Sequence, residues 1–153
     1  MSEHIAGARE YLMALGIRDP DGWIVGHVPR EKQVDAKYYK NARAEIGRRI
    51  GQRTVCWVSD DVEWVYKNLY EQGDIVCLAE LITRNIAIIS VFRHCILSSD
   101  TNSSWAARLN PYAYESKTRA ICYPHQDTLV CDPEWVRIET TAGNAPAQVS
   151  NHA

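Results

Sequence analysis

Apolar positions along the chain recur at two different spacings, and the changes between them predict the elements. Ile5, Ala8, Leu12 and Leu15 fall three or four residues apart and predict a helix over about residues 3–15, opened by Ser2 and closed by Gly16. Asp19-Pro20-Asp21-Gly22 predicts a turn, because proline presets φ and glycine closes it. Trp23 to Val28 reads as a short strand. Val34, Tyr38, Ala42, Ile46 and Ile50 repeat every four residues and predict a second helix over 31–50. Thr54 to Ser59 (TVCWVS) is β-branched and aromatic, which favours a strand. Asp60 with Glu63 forms a capping box that opens a helix over 61–72, ended by Gly73, with Val62, Val65, Tyr66 and Leu69 inward.

Past Gly73 the pattern continues with Asp74 capping a further helix through about Arg84, burying Ile75, Leu78, Ala79 and Ile82. Ile86 to Leu97 is apolar on both alternating faces through Phe92, as a central strand requires. Residues 98–104 read as a loop, and Trp105 to Leu109 as one helical turn stopped by Asn110-Pro111. Arg119–Pro124 and Thr128–Asp132 flank a turn at Gln126-Asp127 and predict a β-hairpin, with Glu134–Thr140 as a third strand. The expected fold class is therefore α+β: three to four helices in the N-terminal half, a mixed sheet and a C-terminal β-hairpin. One globular domain is expected over 1–139, followed by an uncharged polar tail over 140–153.

Composition narrows the class without naming a function. The chain has 153 residues, 46% hydrophobic and 24% charged, which excludes a disordered, collagen-like or rod-like chain. The net charge of −2 points to no partner, but the charges are segregated. Residues 30–59 hold eight basic side chains against three acidic ones, and residues 60–80 hold six acidic ones against Lys67. Such blocks either pair with each other or meet different partners. Glu3, Arg9 and Glu10 interrupt any signal-peptide core, and Glu80, Arg84, Asn85, Arg93 and His94 interrupt the most apolar stretch, so no membrane span is expected. Five cysteines without an export signal fit a reducing, cytoplasmic setting.

The candidate chemistry is sparse. Folding a hairpin about 126–127 sets Cys122 opposite Cys131, with Cβ atoms about 5 Å apart and His125 nearby, a weak zinc arrangement that lacks paired C-x₂-C knuckles. Two small apolar side chains packed across a hairpin explain the same spacing, so no metal or cofactor is assigned. His94 and Cys95 are neighbours on a presumed strand and point to opposite faces, which precludes a dyad between them. The glycines make no phosphate-binding loop.

Two features favour a partner surface. Lys37, Lys40 and Arg48 share about an 80° arc of the 31–50 helix, flanked by Arg43, with Tyr39 placed to stack on a base. Trp64 falls opposite the apolar face of the 61–72 helix, and tryptophan is a favoured interface anchor. The reading that follows is a non-enzymatic interaction protein, an assembly subunit or accessory protein of possible viral kind, binding a protein or itself. The alternatives are nucleic-acid binding through the basic helix and a small zinc- or cysteine-centred enzyme.

Overall fold

Strands and helices alternate along the chain from the first strand to the fourth. The computed structural model describes residues 2–31, 34–78, 82–99, 106–107, 120–124 and 135–138. Helix α1 (Ser2–Ala14) and a 3₁₀ turn (Pro20–Gly22) lead into β1 (Ile24–Val28). Then follow α2 (Ala36–Ile50), β2 (Val55–Ser59), α3 (Val62–Asn68), β3 (Ile75–Leu78), α4 (Ile82–Ser90) and β4 (His94–Ile96). Strands β5 (Ile121–Pro124) and β6 (Val136–Ile138) complete the described elements. The strands form one sheet in the order β3-β2-β1-β4-β5-β6, with every neighbouring pair parallel.

The expected α+β class with a mixed sheet is thus corrected to α/β with a parallel sheet. Two elements account for the error. The run Ile75–Leu78 is four residues long, too short for its period to separate helix from strand, and it forms β3 rather than the start of a helix. Helix α4 hides its period for the opposite reason. It lies between α1 and the sheet, so the consecutive residues Ala87, Ile88, Ile89 and Ser90 are all buried and read as a two-faced strand. The C-terminal hairpin is also corrected. At Cys122 the two sides of β5 are taken by Ile96 of β4 and Val136 of β6, both on parallel strands. An antiparallel partner cannot lie in register there. Thr128–Asp132, most of 98–109 and the tail from 140 lie outside the described residues.

Alternation along the buried strands builds two cores, one on each face of the sheet. Val25, Cys56, Val58, Cys95 and Ile121 face α1 and α4, where Leu12, Ile88 and Phe92 pack. Ile24, Val55, Trp57, Ile96 and Cys122 face α2 and α3, where Tyr38, Tyr39, Ile46 and Val65 pack. Trp57 lies across Gly26, its register partner on β1. A Cβ at Gly26 would come within 2.5 Å of the indole ring, so only glycine fits. The indole N–H donates to Asp74 at 3.1 Å.

Asp74 is the polar centre of the sheet's amino edge, where its side chain is fully buried. It accepts two bonds from Arg43 (2.7 and 2.9 Å) and one each from the Val55 and Glu71 N–H groups (both 3.0 Å). Burial pushes the carboxyl pKa up, but Arg43, the two N–H groups and Trp57 together hold it below its ordinary value. Arg43, expected on the exposed flank of the basic helix, is instead buried here.

Candidate active site

The strand order places a crevice at the carboxyl ends of β1 and β4. From β1 the chain winds outward to β2 and β3 on one side, and to β4, β5 and β6 on the other. Where an open parallel sheet reverses its winding, the loops leaving the two central strands diverge and open a ligand-sized cleft. The two ladders of β1 end at different points. β1 stays paired with β2 as far as Val28 and Ser59, but its ladder with β4 ends at Gly26 and Ile96.

Polar groups stitch the strands together just past that point. His27 Nδ1 and Ser98 Oγ are hydrogen-bonded at 2.8 Å, both buried. Two adjacent tyrosines of the first turn of α2 then satisfy strand carbonyls. Tyr39 donates its hydroxyl to His27 O at 2.9 Å, and Tyr38 donates to Leu97 O at 2.5 Å. Burial drives the Tyr39 phenol far above its ordinary pKa, so it remains a donor at any working pH. These bonds fix the amino end of α2, capped by Asp35 at 3.3 Å from the Tyr38 N–H, beside the cleft.

Arg30 stands two residues beyond β1 with its side chain 65% exposed. It donates to Asp60 O at 2.5 Å and lies 3.8 Å from the Asp61 carboxylate, tying the loop after β1 to the loop after β2. Ser59, buried at the end of β2, accepts the Asp61 N–H at 2.8 Å. A guanidinium on this edge matches the planar, bidentate geometry of phosphate oxygens. Beside it lies an open depression of about 490 Å³ lined by Asp61, Glu63, Trp64 and Lys67.

The residues singled out from sequence are dispersed. Trp64 is half-buried, edge-on to Tyr39 with ring centroids 6.3 Å apart, and joins the α2–α3 core that it was expected to face away from. Tyr66, expected inward, is 54% exposed. Lys37 and Lys40 are exposed, while Arg48 is engaged with Glu45 at 2.5 Å. Hydrogen bonds from Arg48 and Arg49 hold the Glu45 carboxyl below its ordinary pKa. Tyr39, expected to stack on a base, is fully buried. The opposed charge blocks partly pair with each other, through Arg30–Asp61, Arg43–Asp74 and Arg43–Glu71.

Of the zinc candidates, Cys122 faces α2, and burial pushes its thiol up to about 12. His125 and Cys131 lie outside the described residues. Among the described residues no cluster of three His, Cys, Asp or Glu side chains could hold a metal, and no helix is long and apolar enough to cross a membrane.

Sequence reasoning passed over His27, Arg30, Ser59 and Ser98. The available signal was positional: polar residues sit at or just beyond the carboxyl ends of strands that are otherwise apolar. Reading that signal requires knowing that the strands are parallel, which the hairpin expectation denied.

The comparisons bear on this same stretch of chain. The model of glycosyl transferase family 11 matches residues 25–123, about two thirds of the chain and the span from β1 to β5. A solved glycosyl transferase family 9 protein from Veillonella parvula DSM 2008 superposes with a TM-score of 0.62 at 14% identity, a likeness of fold. The superposition covers 97% of this chain and 44% of that one, so the chain spans less than half the length of that protein. No curated protein matches. The expectation of a non-enzymatic assembly or virion accessory protein is overturned by the family match. That expectation rested on the lack of short catalytic motifs, whereas this cleft draws single residues from several strand ends. By the extent of the family match, the chain belongs to glycosyl transferase family 11.

Proposed function

We propose that the chain binds a phosphate-activated sugar donor in the cleft at the carboxyl ends of β1 and β4 and serves glycosyl transfer to a hydroxyl acceptor. The observation that carries this reading is the reversal of winding between β1 and β4, with Arg30 on the edge beside it. In glycosyl transfer the bond between the anomeric carbon and a phosphate oxygen breaks, and the acceptor oxygen takes its place. The acceptor proton is lost and the departing phosphate gains negative charge. Arg30 is placed to balance that charge, supplemented by the positive end of α2. His27, Ser98, Tyr38 and Tyr39 hold the strand ends on which the phosphates would rest.

Thermal melting in the presence of UDP, GDP, ADP and CDP tests the reading. A ligand at one hundred times its Kd adds about 2.7 kcal/mol of stability. At least one of the four should raise Tm by several degrees in the native chain and far less in Arg30→Ala. Unchanged melting with all four at millimolar concentration would remove the donor site.

A further inference from the structure

The outer strands of the sheet carry a pair of thiols that the cleft does not use. Cys56 of β2 and Cys77 of β3 bring their Sγ atoms to 3.4 Å, both buried on the face covered by α1 and α4. Register sets this up: Cys56 lies opposite Ile75 and Cys77 opposite Val58, so the thiols are diagonal neighbours on one face. Two small apolar side chains in a core would pack in the same way. The surroundings separate this pair from inert packing. The Tyr11 hydroxyl donates to the Cys77 sulfur, and the Arg84 guanidinium, 4.0 Å from the Tyr11 ring centroid, adds positive charge nearby. The bond from the Cys56 S–H, then Arg84 and the Tyr11 hydroxyl, hold the Cys77 thiol below its ordinary pKa, although burial opposes them. The same bond, together with burial, pushes Cys56 well up. A sulfur that ionises readily thus touches a thiol that keeps its proton.

We infer that Cys77 is a site of reversible oxidation by hydrogen peroxide, resolved by Cys56 as a disulfide between β2 and β3. The Cys77 thiolate attacks one peroxide oxygen and the O–O bond breaks. Sulfenic acid forms on Cys77, and the departing hydroxide takes up the proton that the thiol had released. Cys56 then gives up its proton, its sulfur bonds to the Cys77 sulfur, and the S–O bond breaks to release a second water. The two thiols lose two hydrogens, and one peroxide becomes two waters. The Sγ atoms must close from 3.4 Å to about 2.05 Å, and because the pair is diagonal, β3 shifts along β2. Among the described residues β3 pairs with β2 alone, so no second ladder resists that shift. The edge position also gives peroxide a route, since Leu78, next to Cys77, is half exposed. Other described thiols are worse placed. Cys95 sits two strands from Cys56 across Val25, and Cys122 faces α2 with its thiol pushed up to about 12. A shift of β3 moves Leu78 against Ser59, which accepts the Asp61 N–H, so oxidation reaches the loop after β2.

Peroxide treatment of the reduced native chain, followed by alkylation, digestion and mass spectrometry without reduction, tests the site. The expected product is a peptide pair linked through Cys56 and Cys77 and separated by dithiothreitol. In Cys56→Ala the reaction should stop at a Cys77 sulfenic acid that dimedone captures, and in Cys77→Ala Cys56 should form no linkage. Arg84→Gln should slow linkage at least about threefold, because the thiolate is the attacking species. Should either alanine variant fail to fold, mapping of the native chain decides alone. In concentrated urea the five cysteines should link without this preference. Cys56 and Cys77 both alkylated after peroxide would overturn the proposal, as would linkage of Cys77 to Cys95 or Cys122 instead. The same 56–77 preference in urea would also overturn it, by tracing the pairing to local sequence rather than to the folded sheet.

Discussion

The two edges of the sheet are built on opposite principles. At the amino edge, Asp74 is buried and its oxygens are filled by Arg43, Trp57 and the Val55 and Glu71 N–H groups, so the polar chemistry is consumed internally. At the carboxyl edge, buried bonds such as His27–Ser98 and Tyr39–His27 O only brace the strands, while Arg30, Glu63 and Lys67 remain turned toward water. One edge holds β2 and β3 together, and the other offers charge to a ligand. Substitutions should therefore separate: amino-edge changes cost stability, and exposed carboxyl-edge changes cost binding.

Asp74→Ala is the largest test of that separation. It leaves the buried Arg43 guanidinium only the exposed Glu71 carboxylate and the Arg53 carbonyl, and strips the Trp57 indole and two N–H groups of their acceptor. Removing one member of a buried pair typically costs about 3–5 kcal/mol. Urea denaturation should show a loss of that size or a chain that no longer folds. A loss below about 1 kcal/mol would mean water satisfies the network and the amino edge is not a lock.

Gly26→Ala comes next. The new methyl would meet the Trp57 ring at 2.5 Å, and overpacking of this kind typically costs about 1–3 kcal/mol. The urea midpoint should fall with the slope of the transition unchanged. Trp57 also donates to Asp74, so a ring displaced by the added methyl disturbs the same network. Gly26→Ala combined with Asp74→Ala should therefore cost less than their sum.

These two positions also show what was legible in the sequence. The first half of the sheet was, because β1, α2 and β2 are long enough for period and capping to agree, and TVCWVS can scarcely be anything but a strand. The second half was not. β3 has four residues, β4 has three, and α4 is buried on consecutive positions, so local pattern carries no decisive period there. The candidate site was hidden for a related reason. His27 and Ser98 are 71 residues apart in sequence and meet only through parallel pairing of β1 with β4. Trp64 was legible as unusual, but its packing on Tyr39 depends on how α2 and α3 share one face of the sheet.

Acid should act on the amino edge first. The Asp74 pKa is depressed in the folded chain, against about 3.9 for an unpaired aspartate. A carboxyl with a lowered folded pKa stabilises the protein above its unfolded pKa, and that contribution is lost as pH falls through the folded value. Tm measured from pH 7 downward should therefore drop below about pH 4, more steeply in the native chain than in Asp74→Asn, which has no proton to take up. Equal slopes would place the acid-sensitive group elsewhere.

Ser98→Ala moves the comparison to the cleft. It removes the buried partner of His27 Nδ1, and a buried group left unsatisfied costs about 1–3 kcal/mol. The bond lies just beyond the last β1–β4 ladder pair, so the loss should be local. Amide exchange should quicken at residues 26–28 and 96–98 and stay unchanged at 55–58 and 75–77. Uniform quickening along the sheet would make the His27–Ser98 bond part of the global fold rather than a brace for the cleft.

Arg30→Ala should have the smallest effect on stability and the largest on ligand binding. Its side chain is 65% exposed, its ion pair with Asp61 spans 3.8 Å, and exposed pairs of this kind typically contribute about 0–1 kcal/mol. Salt should erase even that, so the urea midpoints of Arg30→Ala and the native chain should coincide at about 1 M ionic strength, where the Debye length is about 3 Å. Nucleoside diphosphate binding should fall at least tenfold, since a charge-assisted bond to phosphate is worth roughly 1.5–3 kcal/mol. Arg30→Lys separates charge from shape: an ammonium keeps the charge but loses the fork, so an intermediate affinity is expected. Unfolding of Arg30→Ala together with unchanged affinity in Arg30→Lys would assign Arg30 to holding the β1 and β2 loops together, and the two edges would no longer differ in kind.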